Sequence, residues 1–183
     1  MDTRKRIIDT ADSLFYYKGY QSTGINQIIA EANVAKGSLY NHFKSKSELG
    51  LAYVENASHI WFEEVRQEIS NHTGPKEKLL AIFTFLSGHA KKNHYNGCRI
   101  INIITEITDQ DEKITRGAVA HKQKFRELLY TFTSQIYSDM HKASEKADSI
   151  YLLYEAASVE SKIFKKNWPI EIAMKNAAIL LQN

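Results

Sequence analysis

The chain of 183 residues has a single cysteine, only two prolines and no apolar run approaching the length of a membrane helix. The lone Cys98 excludes an intramolecular disulfide and fits a reducing compartment. A spanning helix needs roughly 18 or more consecutive apolar residues, so no membrane partner is expected. The N-terminus, MDTRKRIIDTADSLF, is amphipathic and lacks a signal-peptide pattern, which points to a cytoplasmic location. Also absent are HExxH, Walker A spacing and a G-x-S-x-G elbow. No catalytic residue, metal ligand or cofactor is therefore expected, and an enzyme is the weakest of the rival readings. Hydrophobic residues at 43% and charged residues at 25% give an ordinary globular balance, with material for one or two domains.

What is present begins with the stretch INQIIAEANVAKGSLYNHFKSK, residues 25–46. Ile25, Ile28, Ile29 and Ala32 recur at helical spacing and give a short helix with one apolar face. Thr23 or Gly24 can cap it. The chain turns at Asn33 and Val34, where Asn tolerates a left-handed backbone, and a second short helix starts near Lys36. Two short helices across a tight turn make a helix-turn-helix. Only Leu39 and Phe43 are needed to seat the second helix, which leaves Lys36, Gly37, Ser38, Tyr40, Asn41 and His42 facing outward. Hydroxyls, an amide and an imidazole suit base edges and phosphate oxygens, Gly37 permits close approach, and Lys44 and Lys46 follow as point charges. A plain solvated face on a small helix is the competing reading of the same residues.

From Gly19 the run GYQSTGINQIIAEANVAKGSLYNHFKSKSEL resembles the N-terminal signature of TetR-type (TetR/AcrR) transcriptional regulators, over about the first quarter of the chain. The resemblance implies that Thr23, Lys36, Gly37, Ser38, Tyr40, Asn41, His42 and Lys46 contact double-stranded operator DNA. Two positions depart from the family's habit: Asn33 replaces a turn Gly, and Gly24 replaces a capping Ser or Thr.

Charge agrees with this placement. Residues 1–47 hold seven Lys or Arg against four Asp or Glu, whereas the remainder is balanced, so the whole excess of +3 sits in the proposed head. Arg4, Lys5 and Arg6 at the exposed start of helix 1 are candidates for phosphate contact.

The chain reads as all-α. Helix 1 runs from about Thr3 to Lys18 on Ile7, Ile8, Ala11, Leu14 and Phe15, and Gly19 ends it. A long helix from about Lys46 to Ser70, about 35 Å at 1.5 Å per residue, joins the three-helix head to a helical body and is the natural lever. Helix 5 follows from about Lys76 to Asn93. The run RIINIITEIT would suit a strand by its β-branched residues, but no second strand is available, so a short buried helix is assigned. Asp109 and Glu112 form a capping box for helix 7, helix 8 spans about Ser144 to Lys166, and Pro169 opens helix 9. The expected domains are 1–47, a helix-turn-helix DNA-binding domain, and 48–183, a ligand-binding and dimerisation domain. Small and apolar positions on the last two helices, including Ala147, Ala157, Ser158, Ser161, Ala173 and Ala177, fit either a monomer's core or a homodimer interface. The resemblance implies a four-helix bundle between two subunits, with twofold symmetry and a palindromic operator.

The body's aromatic residues supply candidates for an effector pocket: Trp61, Phe62, Phe83, Phe125 and Tyr154, with Cys98 nearby. Glu106, Glu155 or Glu160 would answer a cationic effector, and His89, His94 or Arg99 an acidic one, while a surface or paired charge is the more ordinary reading of each; the sequence leaves the effector's identity open. Cys98 lies between Asn96-Gly97 and Arg99, with His94 near, an electropositive setting that favours thiolate reactivity, although a buried small hydrophobe fits as well. The leading expectation is a ligand-responsive regulator, a repressor released by a small molecule. The alternatives are a sensor of oxidants or electrophiles acting through Cys98, and an architectural DNA-binding protein without an inducer.

Overall fold

The computed structural model describes residues 2–108 and 111–182. Among these residues there is no strand, and the helices are α1 (Thr3–Tyr17), α2 (Ile25–Glu31), α3 (Lys36–His42), α4 (Lys46–Ser70), α5 (Pro75–Lys92), α6 (Arg99–Ile104), α7 (Glu112–Ile136), α8 (Met140–Phe164) and α9 (Trp168–Leu180). The all-α expectation holds, and the short helix assigned to the run RIINIITEIT covers its first part, Arg99–Ile104. The expected capping role of Asp109 lies outside the described residues.

Two compact units form, one from Met1–Ile60 with Arg99–His121, the other from Trp61–Cys98 with Lys122–Asn183. The long helices α4 and α7 each contribute to both.

In the first unit, Asp2 caps α1 by accepting from the Arg4 N–H, and the helix stops where Gly19 takes φ +98°. Its buried stripe of Ile7, Ala11, Leu14 and Phe15 packs with Ile28 of α2 and Leu39 of α3 in one core. Tyr20 and Tyr53 meet the Phe15 ring edge-on at 5.0 and 5.5 Å. Ser45 Oγ accepts from the Glu48 N–H, while the Glu48 carboxylate accepts from the Lys44 N–H, fixing the start of α4. Beyond it α4 passes close to α7: a Cβ on Gly50 would stand 2.5 Å from Ile114 Cδ1.

In the second unit, α9 lies against α8 and α5. Pro75 and Pro169 both sit in the first turn of their helices, as their spacing predicts. Helix α8 begins four residues before the expected Ser144, because Asp139 accepts from the His141 and Lys142 N–H groups and caps it there. An exposed Met140 at its first position hides that start from a reading based on apolar periodicity. The small positions Ala147, Ala157, Ser158, Ser161, Ala173 and Ala177 are all buried within the chain itself, where they let α8 and α9 approach. Of the two readings offered for those side chains, the subunit's own core is the one realised.

Candidate nucleic-acid interface

Helix α2 starts at Gly24, which offers no side-chain cap, and ends in a turn where Asn33 takes φ +51°. An amide side chain tolerates that left-handed backbone, so the departure from Gly at this position leaves the turn intact. Val34 N–H donates to Ile29 O at 3.2 Å across the turn. Helix α3 then presents one buried residue, Leu39, followed by buried Phe43 at its C-cap. Lys36, Gly37, Tyr40, Asn41 and His42 are exposed and Ser38 half-buried, so the structure groups six of the eight predicted contacts on one small polar surface.

The other two predicted contacts differ. Thr23 is fully buried, with Oγ1 donating to Gly19 O at 2.7 Å. Its side chain therefore closes the α1–α2 turn from the inside, giving a donor to a carbonyl just past the end of α1. Lys46 is half-buried with its Nζ 4.4 Å from the centre of the Tyr20 ring. Burial lowers its pKa, against the pull of Asp111 and Glu106. Lys44 donates from Nζ to Tyr40 O at 3.0 Å and covers the C-terminal carbonyls of α3. The lysines after α3 thus hold the helix as well as supplying charge.

Around the head runs a set of polar ties that the sequence pattern did not reveal. Arg99 Nε pairs with Asp12 Oδ1 at 3.1 Å, and its guanidinium stacks on Tyr16 at 4.0 Å. The Gln21 N–H donates to Glu106 Oε2 at 2.9 Å, and Gln21 Nε2 donates to Glu106 O at 2.8 Å. Tyr20 OH donates to Asp111 Oδ1 at 3.3 Å; burial first, and then that carboxylate, push the phenol's pKa up. Lys113 Nζ meets Glu48 Oε1 at 3.2 Å, and the Lys44 N–H together with Lys113 holds the Glu48 carboxyl below its ordinary pKa. These pairs join positions 65 to 91 residues apart in ways that no local periodicity encodes. Arg99 and Glu106, weighed above as effector-binding charges, are both engaged in this set.

In the second unit the aromatic candidates come together. Trp61 meets Phe62 and Phe125 edge-on at 4.8 Å each, and its Nε1 donates to Tyr154 OH at 3.3 Å. Tyr154 also packs on Phe83 at 5.8 Å and Phe125 at 4.8 Å, and burial drives its pKa far up. Beside them Lys122 donates to both oxygens of Glu155, at 2.7 and 2.6 Å. Desolvation works against the ammonium, but the opposing charges of Cys98 and Glu155 prevail and raise its pKa. Cys98 is half-buried. His89 Nδ1 stands 3.6 Å from Glu64 Oε2, so another of the charges considered for an acidic effector faces a carboxylate.

The family described as "Bacterial regulatory proteins, tetR family" matches residues 7–53. An uncharacterised HTH-type transcriptional regulator from the lacX 3′ region of Lactococcus lactis is 32% identical over 143 residues, 77% of this chain and 65%, just under two-thirds, of that relative's length. The HTH-type transcriptional repressor NemR of Escherichia coli K12 is 24% identical over 94% of this chain and 90% of its own; its solved reduced form superposes with a TM-score of 0.80 over 96% and 95% of the two chains, at 22% identity. SCO4454, a TetR-family transcriptional regulator from Streptomyces coelicolor, is similar in fold, with a TM-score of 0.89 over 98% of this chain and 94% of its own at 24% identity. No helix among the described residues is long and apolar enough to cross a membrane. With a helix-turn-helix in residues 25–42 and a matching signature over residues 7–53, this protein carries the family signature of the tetR bacterial regulatory proteins, on a fold shared with such regulators along nearly the whole chain.

Proposed function

We propose that the chain is a ligand-responsive repressor that binds a palindromic operator as a homodimer and is released by a small molecule. The observation that carries the DNA reading is α3, which buries Leu39 alone and leaves Lys36, Gly37, Tyr40, Asn41 and His42 exposed. Polar side chains ordered on a short helix and not consumed in internal bonds are what base-edge readout requires. Residues 1–47 would act as the reading head and 48–183 as the ligand-binding and dimerisation body. The description of NemR as a repressor supports the sign of the effect.

Dimerisation is favoured by a second observation. On α8, Leu152, Val159 and Ile163 lie seven and four residues apart and are 63%, 39% and 65% exposed; on α9, Trp168, Ile172 and Ile179 form a matching stripe. An apolar face of this size opposite the buried face of the same two helices suits a second copy of the chain. Effector binding would involve the Trp61, Phe62, Phe83, Phe125 and Tyr154 cluster, and coupling of about 1–3 kcal/mol would weaken operator binding some 5- to 150-fold. A gel-shift titration using the gene's own upstream DNA against scrambled competitor tests the reading; equal affinity for both sequences would indicate an architectural protein instead.

A sensor reading rests on Cys98, the one cysteine of the sequence, which is half-buried and forms no disulfide. A thiolate is the species that reacts with oxidants and electrophiles. Replacing Cys98 with Ser separates the two readings: a variant that leaves DNA on electrophile treatment as readily as the parent contradicts thiol sensing.

A further inference from the structure

We propose that Glu106, more than sixty residues beyond the helix-turn-helix, is a positioning residue for operator recognition, holding the α1–α2 turn at the angle from which α3 reads DNA. The inference rests on the DNA-binding reading above and goes beyond it, since nothing in the 7–53 family signature contains this residue.

Glu106 follows α6, and both of its polar ends engage one residue of the turn. Its carboxylate accepts from the Gln21 main-chain N–H at 2.9 Å, and its carbonyl accepts from the Gln21 side chain at 2.8 Å. The turn is shaped to receive it. Gly19 takes φ +98°, a backbone that an L side chain would strain, and a Cβ there would stand 2.9 Å from Glu106 Oε2, so any side chain at this position would displace the carboxylate. Thr23 locks the same turn from the inside through its bond to Gly19 O. Residues 19–24 are the sole covalent link between α1 and α2, and α1, α2 and α3 pack on one another. A change in this link is therefore carried into the attitude of α3. The segment is anchored on either side as well, by Arg99 on Asp12 and by Asp111 on Tyr20.

Positioning and electrostatics predict opposite signs, which makes the role measurable. Removing a carboxylate from a head that faces phosphates strengthens non-specific attraction. Loss of a fixed turn weakens base readout, which depends on exact placement of the α3 side chains. In the full-length protein, Glu106→Ala is expected to lower affinity for the upstream operator about tenfold, the scale of one hydrogen bond to a charged group. Affinity for scrambled DNA should stay level or rise. Glu106→Gln keeps an oxygen for the Gln21 N–H and should restore the specific-to-scrambled ratio to within about twofold. Hydrogen exchange of the Gln21 amide, read without DNA, should accelerate in Glu106→Ala and stay slow in Glu106→Gln. An unchanged ratio in Glu106→Ala, a parallel loss on both DNAs, or an unaltered Gln21 amide overturns the proposal. A parent that shows no preference for its own upstream DNA, with the amide effect intact, overturns the operator reading and leaves the clamp itself standing.

Discussion

Within the unit built from Met1–Ile60 and Arg99–His121, an apolar core is tied by polar pairs between distant residues: Arg99 with Asp12, Glu106 with Gln21, Asp111 with Tyr20, Lys113 with Glu48. Within the unit built from Trp61–Cys98 and Lys122–Asn183, rings meet rings around Trp61, Phe125 and Tyr154, and the half-buried Lys122–Glu155 pair is set beside them. Polar pairs are directional and fix angles, whereas aromatic packing supplies area with less angular demand. A surface that reads base edges needs the first kind of support. A body that accommodates a small apolar molecule and a second subunit is better served by the second.

The contrast is broken most severely from the aromatic side. Phe125, 1% exposed, touches Trp61, Tyr151 and Tyr154. Phe125→Ala should cost about 3–5 kcal/mol in denaturant unfolding. Of similar size is the loss from Lys122→Met, about 3–5 kcal/mol, because it strands the Glu155 carboxylate; adding Glu155→Leu should recover most of it. The same pair sets an alkaline limit. Lys122 has a folded pKa above its ordinary 10.5, so its contribution is complete below that pH and fades as the pH rises through the raised value, which a pH series of unfolding midpoints would follow.

In the head the expected losses are smaller and more specific. Thr23→Val leaves Gly19 O without its partner and should cost about 1–3 kcal/mol, with any loss of discrimination between operator and scrambled DNA accompanying that loss of stability. A selective loss of discrimination with full stability would return Thr23 to the interface. Smallest for the subunit's own stability is the paired change Leu152→Glu and Ile163→Glu, within about 0.5 kcal/mol for exposed positions. Sedimentation should nonetheless show a monomer.

Local features of the head were legible from the residues because they are encoded locally. The Ile25, Ile28 spacing, the left-handed Asn33 and the seating of α3 on Leu39 all involve neighbours within about a turn of helix, the range over which periodicity speaks. The role of Thr23 was not legible: a hydroxyl in a turn reads the same whether it faces DNA or the carbonyl of Gly19, and burial decides between them. The start of α8 was hidden because Asp139 caps a first turn whose leading residue is the exposed Met140. Glu106 and Arg99 read either as effector ligands or as paired charges, since charge alone does not name its partner. Only the folded chain brings Gln21 and Asp12 to them.

The most direct measurement of the central claim is the affinity of Tyr40→Ala combined with His42→Ala for the gene's upstream DNA, with thermal unfolding as the control. Both side chains are exposed on α3, and the core ring beside them is that of Phe43, 6.4 Å from the His42 ring centre, so the unfolding midpoint should hold. Each lost groove contact is worth about 1–3 kcal/mol, so operator affinity should fall by about one to several powers of ten while scrambled DNA is bound as before. Undiminished operator occupancy by the folded double variant would contradict the account.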